Sequence, residues 1–509
     1  MLARLRSASL FGIEASLVEV EVGVSFGLPA FNMVGLPDSS VRESRDRVRS
    51  AILNSGFEFP AHRVTINLAP ADIRKRGTSF DLPIAVGVLA ASGLLSRREY
   101  ADLLLLGELS LDGTIQATRG VLPMALVVRR HGMRLLAPPD AAPEAAMVPG
   151  LDTGVVRSLA EVVGVLERRI APEPASVITD VARPPSDRHD PDMRDVRGQR
   201  LGRRALEVAA AGRHNILFVG PPGAGQTMMA RRLPGLLPPP SFEEAVETST
   251  IHSVAGLRTA GPPQRSRPFR APHHSISHVA LIGGGREPRP GEVSLAHNGV
   301  LFLDEIPEFG RRVLEVLRQP LEEGTVRIGR AAGIAVFPAR FLLVAAMNTC
   351  PCGYAGHPAR ECRCTPNQTD RYHGRLSGPL RDRFDLVVPV NAVPAEELMS
   401  VSDSEPSSAI RERVERARGQ QAGRYEASVA GTNADLRHAQ LSEHCQLDAA
   451  GQRLMTRAIA SFRLSARGYD RVRRVARTLA DLDGTDAVRS SHVAEALSYR
   501  GVRGPFAYE

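Results

Sequence analysis

The chain has 509 residues, 43% of them hydrophobic, which is enough apolar sequence for two or three globular domains and excludes a largely disordered protein. A formal net charge of +8 is compatible with a nucleic-acid partner, although charge alone does not define a binding site. Five cysteines exclude a disulfide scaffold, and the lack of a run of ~20 apolar residues argues against a membrane span, so we expect a cytoplasmic protein with no membrane partner.

Residues 1–170 are predicted to form a mixed α and β domain. Apolar and polar residues alternate in SLVEVEVGVSF (16–26) and RVTINLAP (63–70), as is typical of half-buried strands. The run FDLPIAVGVLAASGLL (80–95) indicates a buried helix. A stretch rich in Pro and Asp, residues 171–195, is the predicted linker to the rest of the chain.

Three short apolar runs after the linker each end in polar residues or glycine, and they are NILFVG, GVLFLDEIPE and FLLVAAMNTC. The first leads into a glycine-rich loop and a helix, the second ends at Asp304 and Glu305, and the third ends at Asn348. Neighbouring parallel strands deliver side chains to one edge of a sheet in this way. We therefore predict a P-loop α/β core over 196–394 and a helical lid over 395–509.

The glycine-rich loop predicts a nucleotide site. The pattern G-x-x-x-x-G-K-S/T runs from Gly220 to Thr227, and its backbone N–H groups and the following helix are suited to phosphate. Thr227 and Asp304 are expected to hold Mg2+, while Glu305 polarises the attacking water. The predicted residues for binding ATP are Gly220, Pro221, Pro222, Gly223, Ala224, Gly225, Gln226, Thr227, Met228 and Asp304.

Gln226 stands where this pattern requires lysine. The chain contains a single lysine, Lys75, so arginine would be the expected replacement, yet glutamine carries no charge. Losing one preorganised donor costs about 100- to 1000-fold in rate, whereas a charge-assisted hydrogen bond contributes roughly 1.5 to 3 kcal/mol to binding. We therefore expect weak ATP binding and strongly reduced turnover.

Six long motifs distributed from Met1 to about Gly501 carry a family resemblance: GLPAFNMVGLPDSSVRESRDRVRSAILNSGF, INLAPADIRKRGTSFDLPIAVGVL, RPFRAPHHSIS, PGEVSLAHNGVLFLDEIPEF, SGPLRDRFDLVVPV and LSARGYDRVRRVARTLADL. Together they resemble the magnesium-chelatase-like AAA+ ATPases of the YifB/ComM group. The resemblance implies an AAA+ core of α/β type with a helical lid, assembled into a homo-hexameric ring. It also implies catalytic roles for Arg383 as the finger that reaches a neighbouring subunit, Arg467 as the lid sensor and Asn348 as the first sensor.

Four cysteines lie within residues 350–364, as the C-x-C pairs Cys350 with Cys352 and Cys362 with Cys364. Four thiolates in a compact loop suit a structural Zn2+, although C-x-C is tighter than the usual spacing. Family members carry the same paired cysteines. Four reduced cysteines without metal are the alternative.

The segment RKRGTSFDLPIAVG resembles the Lon protease domain, an α+β fold of the S5 type, with Ser79 at the place of the nucleophile. The segment that should supply a lysine base has Leu122 near the expected position, and Lys75 precedes the serine in a basic loop. Proteolysis is therefore not expected. Ring assembly or DNA contact is the favoured role for this domain.

The insertion that begins RPFRAPHHSIS is expected to form a loop facing the ring pore, as in the family and its helicase relatives. Its cations are Arg267, Arg270, Arg286 and Arg289, which suit phosphate-backbone contact, and a folded loop with solvated arginines is the alternative. His273 and His274 are interpreted as structural because adjacent side chains are expected to point apart.

The resemblance points to ATP-driven branch migration of branched or single-stranded DNA during natural transformation. Two alternatives stay open. One is a ring subunit that binds DNA or partners without turnover, which Gln226 favours. The other is a motor for metal insertion into a tetrapyrrole, although the chain lacks the integrin-type partner domain of the chelatase branch.

Overall fold

The computed structural model describes residues 1–71, 75, 77–176, 191–257, 266–285, 287–330, 333–357, 360–399, 404–425 and 431–500. Most of the predicted linker and Arg286 of the predicted pore loop lie outside these residues. Within the described residues, no helix is both long and apolar enough to cross a lipid bilayer.

The N-terminal part is built on a mixed eight-stranded sheet with the strand order β10-β9-β8-β5-β1-β2-β4-β3, beside a small ribbon of β6 and β7. Its strands are β1 (Leu2–Phe11), β2 (Glu14–Ser25), β3 (Ala30–Val34), β4 (Arg63–Ala69), β5 (Leu103–Leu105), β6 (Glu108–Leu109), β7 (Ile115–Gln116), β8 (Arg134–Ala137), β9 (Thr153–Val155) and β10 (Glu173–Pro174). Its helices are α1 (Ser39–Asn54), α2 (Asp81–Ala91), α3 (Arg97–Tyr100), α4 (Val121–Arg130), α5 (Ala142–Ala145) and α6 (Leu159–Leu166).

Helix α2 is the centre of this part, because all of its residues are buried. The alternation on β2 brings Val18, Val20 and Val22 to the same buried face. At Gly87 the helix approaches that face so closely that an added Cβ would lie 2.5 Å from the Val22 side chain. The apolar run and the alternating run of the sequence thus form one helix-on-sheet layer.

The central part is built on a five-stranded parallel sheet with the order β12-β15-β18-β11-β19. Two antiparallel ribbons, β13–β14 and β16–β17, stand outside it. Strands β11, β15 and β18 are buried along their whole length, as expected for parallel strands covered on both faces. The strands are β11 (Ile216–Val219), β12 (Phe269–Arg270), β13 (Gly283–Gly284), β14 (Arg289–Pro290), β15 (Val300–Leu303), β16 (Thr325–Arg330), β17 (Gly333–Pro338), β18 (Leu342–Met347) and β19 (Leu386–Pro389).

The helices that follow the N-terminal part cover this sheet and then form the C-terminal lid. Those of the central part are α7 (Arg200–Gly212), α8 (Gln226–Ala230), α9 (Leu233–Leu236), α10 (Phe242–Ala255), α11 (His278–Ile282), α12 (Glu292–Leu295), α13 (Arg311–Glu315), α14 (Arg318–Glu323), α15 (Pro366–His373) and α16 (Gly378–Arg381). Those of the C-terminal part are α17 (Ala395–Met399), α18 (Ser407–Tyr425), α19 (His438–His444), α20 (Ala449–Phe462), α21 (Ala466–Leu482) and α22 (Ser490–Ser498).

The lid shares one hydrophobic core with one face of the parallel sheet, which joins α18, α20, α21 and α22 to α7 and to alternate residues of the strands. A buried polar contact fixes the same junction, because the ring of His214 lies 2.8 Å from the hydroxyl of Thr478 on α21. The lid is therefore anchored on α7 and on the segment that enters β11.

The turn between β1 and β2 links the N-terminal part to the ribbon β16–β17. A Cβ on Gly12 of this turn would lie 3.1 Å from that of Ala335 on β17. Phe11 and Ile13 pack against the hydrophobic cluster to which the ribbon belongs. The limits 1–170, 196–394 and 395–509 remain predictions for the domain boundaries.

Candidate functional site

The glycine-rich loop joins β11 to α8 at the carboxyl edge of the parallel sheet. Gly223 and Gly225 have φ angles of 78° and 92°, in the region where glycine avoids steric strain. The N–H of Gly220 donates to the carbonyl of Met347 at the end of β18, 3.1 Å away. An added Cβ on Gly220 would clash with the carbonyl of Val390. The loop curve therefore depends on its glycines.

Thr227 of α8 and Asp304, the residue after β15, are in contact. The Thr227 hydroxyl donates to Oδ2 of Asp304 at 2.6 Å, and Oδ1 of Asp304 accepts the N–H of Glu305 at 3.0 Å. Glu305 has a φ of 50°, and its side chain is 54% exposed. A hydroxyl and a carboxylate at this spacing are the oxygen ligands that Mg2+ prefers near a phosphate.

These residues line a cleft of about 350 Å3, whose walls are Pro222, Gly223, Ala224, Gly225, Gln226, Thr227, Met228, Asp304, Glu305, Met347 and Asn348. Among the described residues, the lining contains no lysine or arginine. The amide of Gln226 donates a long hydrogen bond of 3.4 Å to the carbonyl of Met347. The described lining thus offers backbone N–H groups, a hydroxyl and carboxylates to a bound molecule, but no cationic side chain.

Asn348 is held at the end of β18 by helix α15. Burial raises the pKa of Tyr372 to about 12, and its hydroxyl interacts with the backbone N–H of Asn348. The ring of His373 lies 3.0 Å from the carbonyl of Thr349, and burial lowers the pKa of this histidine. The first-sensor position is therefore fixed by buried side chains of the helix that follows the cysteine loop.

His274 is a site residue that sequence reasoning missed. Its ring lies against that of His273 at a tilt of 35°, with the centroids 4.0 Å apart, so the prediction that the two side chains point apart is wrong. Its Nδ1 lies 3.9 Å from Oε2 of Glu305. The histidines follow β12, and β12 pairs with the strand that ends before Glu305, which only the sheet order reveals.

Arg383 lies at the opposite edge of the sheet from the glycine loop. Its carbonyl accepts a hydrogen bond of 3.0 Å from the amide of Asn215, which precedes β11, whereas Gly220 follows β11. Gly220 follows Asn215 by five residues, which at ~3.3 Å per residue places the two residues about 16 Å apart along β11. The cleft of one chain is therefore out of reach of its own Arg383.

Arg467 belongs to the same edge as Arg383. Burial and the nearby guanidinium groups of Arg471 and Arg467 lower the pKa of Arg383. Arg467 is exposed at the start of α21, whereas the side chain of Arg383 is 22% exposed and pairs with Glu322. The two predicted catalytic arginines are thus brought together, away from the cleft formed by the phosphate loop.

The four cysteines converge on one point. Their Sγ atoms all lie within 4.8 Å of one another, and the Cys350–Cys352, Cys350–Cys362 and Cys352–Cys362 distances are 3.3, 3.6 and 3.6 Å. Four sulfurs at ~2.3 Å from a tetrahedral Zn2+ would be about 3.8 Å apart. A hydrogen bond from the N–H of Tyr354 lowers the pKa of the Cys352 thiol to about 6, whereas burial and the neighbouring thiols raise the pKa of Cys362 and of Cys364. The donor set fits zinc.

The segment that enters β12 is more tightly held than its sequence indicates. Arg270 forms a two-point ion pair with Glu292 at 2.6 and 2.7 Å. Arg267 is 13% exposed and donates to Glu244 and to backbone carbonyls. These two arginines are fold-stabilising, which differs from the prediction, whereas the side chain of Arg289 is 58% exposed.

Ser79 of the N-terminal part is 2% exposed, and its hydroxyl donates to the carbonyl of Ala8 at 3.3 Å. Lys75 is buried and contacts the carbonyl of Pro70. Both side chains are thus held by backbone carbonyls, so the serine is not presented to a substrate.

A parallel sheet with a glycine loop, a Thr–Asp pair and an asparagine at its carboxyl edge, followed by a helical lid, defines a P-loop ATPase of the AAA+ class. Residues 192–398 match the family described as magnesium chelatase, subunit ChlI, residues 20–141 match subunit ChlI of Mg-chelatase, and residues 404–500 match its C-terminal region. The chain belongs to the YifB/ComM family of magnesium-chelatase-like AAA+ ATPases.

Full-length relatives support this assignment. The chain is 43% identical over 503 residues to competence protein ComM of Haemophilus influenzae, with 98% of each chain covered. It is 43% identical over 502 residues to YifB of Salmonella typhimurium, covering 98% of this chain and 97% of that one. It is 42% identical over 505 residues to YifB of Escherichia coli, with the same coverage.

The predicted family and the predicted α/β AAA+ fold with C-terminal helices are confirmed. The family implies ATP and Mg2+ as cofactors and ring assembly of subunits. The likeness of the N-terminal part to the Lon protease domain remains a prediction, as do the roles of the individual site residues.

Proposed function

We propose that the protein is a ring-forming AAA+ ATPase that acts on DNA and drives branch migration of recombination intermediates during DNA uptake. The observation that carries the ATPase part is the 2.6 Å contact between Thr227 and Asp304 beside the glycine loop. The DNA part draws on the relative called competence protein ComM and on basic ribbons of this chain. Glu305 polarises the attacking water, and Asn348 orients it.

The distance between the cleft and the two predicted catalytic arginines of the same chain supports a homo-hexameric ring. Arg383 lies at the edge opposite the phosphate loop with Arg467 nearby, which supports the supply of both arginines by a second copy of the chain. Guanidinium groups offset charge on the transferred phosphoryl group. Each complete site then consists of the cleft of one subunit and the arginine pair of the next.

The DNA contact is assigned to the two ribbons outside the sheet. Arg330 of β16 donates to the carbonyl of Gly285 at 2.9 Å, which ties ribbon β16–β17 to the loop between β13 and β14. The side chains of Arg289 and Arg327 are 58% and 65% exposed, and each forms only a long ion pair, of 3.6 Å to Glu287 and of 3.9 Å to Glu323. Exposed cations on adjoining loops suit the phosphate backbone of DNA and predict a salt-dependent affinity.

Gln226 supports a second candidate, a ring subunit that binds DNA with little turnover. The described lining residues of the cleft include two carboxylates and no cationic side chain, so the β- and γ-phosphates would lack the ammonium that lysine provides. The metal-insertion alternative receives no such support from a particular observation, and we do not favour it.

We also propose one structural Zn2+ per chain, held by Cys350, Cys352, Cys362 and Cys364. The support is the convergence of the four sulfurs at spacings near those of a tetrahedral site. The metal would close the loop 350–364 without taking part in the reaction.

The test is DNA-stimulated ATP hydrolysis by the purified protein, beside the variants Gln226→Lys and Glu305→Gln. Hydrolysis in the unchanged protein that Glu305→Gln abolishes supports the motor. Hydrolysis only after Gln226→Lys supports the ring subunit with little turnover. Migration of a model four-way junction, absent at saturating ATP while the junction is still bound, would reject the branch-migration hypothesis.

A further inference from the structure

The four-cysteine loop lies directly against the phosphate loop. Gly353 is buried between the two C-x-C pairs, and an added Cβ there would lie 2.8 Å from Cδ of Pro222. Pro222 is itself a wall of the nucleotide cleft. The backbone of the cysteine loop therefore packs on the loop that would hold the phosphates, with no space for a side chain between them.

The entrance to the cysteine loop is also part of the cleft. Asn348 lines the cleft two residues before Cys350, and the preceding carbonyl of Met347 accepts hydrogen bonds from Gly220 and Gln226 of the phosphate loop. A displacement of the chain at Cys350 would thus also shift Asn348 and the phosphate loop.

The exit from the cysteine loop returns to the same point. Helix α15 begins directly after Cys364, with Thr365 as its N-cap, and its last turn brings Tyr372 and His373 onto the backbone of Asn348 and Thr349. Helix α15, which follows the loop, therefore also holds the residues that precede it. A hydrogen bond of 2.8 Å from the hydroxyl of Thr349 to the carbonyl of Ala355 holds part of the loop interior, and the four sulfurs converge within the same loop.

We propose that the four-cysteine loop is a metal-dependent support of the nucleotide site, in which a metal bound by the sulfurs sets the position of Pro222 through Gly353. Loss of the metal would release the loop from Pro222 and weaken nucleotide binding without removing any residue of the cleft. Gly353 is then a positioning residue. This inference rests on the proposed zinc and nucleotide sites, but not on DNA contact or on turnover.

The chain offers a matched pair of glycines for the test. Gly353 and Gly356 have φ angles of 82° and 78°, so replacement by alanine strains the backbone equally at both positions. An added Cβ meets Pro222 at Gly353 but meets nothing within 4 Å at Gly356. Any difference between Gly353→Ala and Gly356→Ala therefore reports the contact with the phosphate loop rather than the strain.

The first measurement is binding of a fluorescent ATP analogue with Mg2+ to both variants, made in the Gln226→Lys background so that affinity is measurable. Zinc content is determined on the same samples. We expect Gly353→Ala to retain its zinc and to bind the analogue at least about 10-fold more weakly, the scale of one lost charge-assisted hydrogen bond, while Gly356→Ala binds normally. Equal affinities of the two variants would overturn the proposal.

The second measurement covers the case in which Gly353→Ala also loses its metal. Hydrogen exchange of residues 217–230 is followed in the unchanged protein before and after zinc removal by a chelator, with Mg2+ restored. Faster exchange there, with no change in strand β4 of the N-terminal part, supports the proposal. Unchanged exchange in 217–230, or purified protein that neither contains nor takes up zinc, rejects it. Neither measurement uses DNA or hydrolysis, so an inactive ring would count only against the proposed function.

Discussion

The hydroxyl of Thr227 lies 2.6 Å from Oδ2 of Asp304. This polar contact joins the first turn of α8, after the phosphate loop, to the carboxyl end of β15. Since β18 separates β11 from β15 in the sheet, this contact spans two strand spacings. It brings together the two oxygen ligands from which the magnesium site is proposed.

Replacement of Asp304 by Asn should weaken Mg2+-dependent nucleotide binding and lower turnover by about 100-fold or more, because the metal loses an anionic ligand partner. Thr227→Ser keeps the hydroxyl and is the matched control. The measurement is a Mg2+ titration of ATP hydrolysis in the Gln226→Lys background. Identical Mg2+ dependence of Asp304→Asn and its parent would contradict the proposed site.

Gln226→Lys should raise ATP turnover by about 100- to 1000-fold and strengthen ATP binding less, because the restored ammonium acts most on charge that develops in the transition state. Gln226→Met has a similar length without a charge or a donor, and it should not raise turnover. Steady-state hydrolysis and equilibrium binding separate the two effects. Equal turnover of the unchanged protein and the Gln226→Lys variant would show that this cleft does not need the cation.

Arg383→Ala should lower turnover by about 1000-fold, since fingers of this type contribute on that scale. Arg383 lies beside Asn215 at the entrance to β11, and Gly220 is about 16 Å further along that strand. A neighbouring subunit should therefore be able to restore the activity that the variant loses. Mixing Arg383→Ala subunits with Glu305→Gln subunits creates some interfaces with an intact cleft and an intact arginine. Both parents should be nearly inactive, and the mixture should hydrolyse ATP. A mixture as inactive as its parents would contradict supply of the arginine by a neighbour.

Metal analysis should find one Zn2+ per chain, and replacement of Cys350 and Cys362 by Ser should abolish it, because one thiolate from each pair is lost. Cys445→Ser is the control, since Cys445 is buried in the lid and belongs to a different cluster. Elemental analysis after gel filtration gives the stoichiometry. Zinc-free protein with four titratable thiols in this loop would favour the alternative of reduced cysteines.

The junction between core and lid should lose stability in acid. Burial opposes ionisation of Asp385, but the ring of His214, 3.4 Å away, and the charge of Arg471 outweigh it and lower the pKa of this carboxyl to about 2. A carboxyl with a depressed folded pKa stabilises the fold above its unfolded pKa of ~3.9, and this contribution of about 2 kcal/mol is lost as the pH falls from ~4 towards ~2.

Thermal unfolding between pH 2 and pH 7 tests this expectation. Asp385→Asn should lower the Tm at neutral pH and flatten its fall in acid, whereas Asp46→Asn, at an 89% exposed side chain, should leave the profile unchanged. A profile of Asp385→Asn that parallels that of the unchanged protein throughout would show that the ion pairs of Asp385 do not stabilise the junction.

Local patterns were sufficient to predict the strands and the cleft. The runs that end at Gly220, Asp304 and Asn348 became β11, β15 and β18 because a four- to six-residue apolar run between polar residues is buried along its whole length only in a covered parallel sheet. The helix predicted after the loop is short. It ends at Ala230, and a separate helical turn starts at Leu233, with Pro234 among its first residues.

Contacts across the sheet could not be predicted in the same way. The sequence predicts a structural role for His274, and its approach to Glu305 follows from the pairing of β12 with β15, which no local pattern encodes. The sequence also predicts that Arg267 and Arg270 are loop cations, but acidic partners from α10 and α12 hold them in the fold. Long-range partners decide whether an arginine is free, and sequence spacing does not reveal them.

The sequence by itself determined the chemistry of this protein: the glycines that curl the phosphate loop, the hydroxyl and carboxylates for a metal, the four thiols, and the glutamine that removes a charge. Local steric and hydrogen-bonding rules act over a few residues, so they can be read from spacing. The tertiary structure alone decided where these groups lie relative to one another. The order of the parallel strands sets Arg383 at the edge opposite Gly220 and brings Gly353 onto Pro222, because strand order fixes distances between residues that are far apart in the chain.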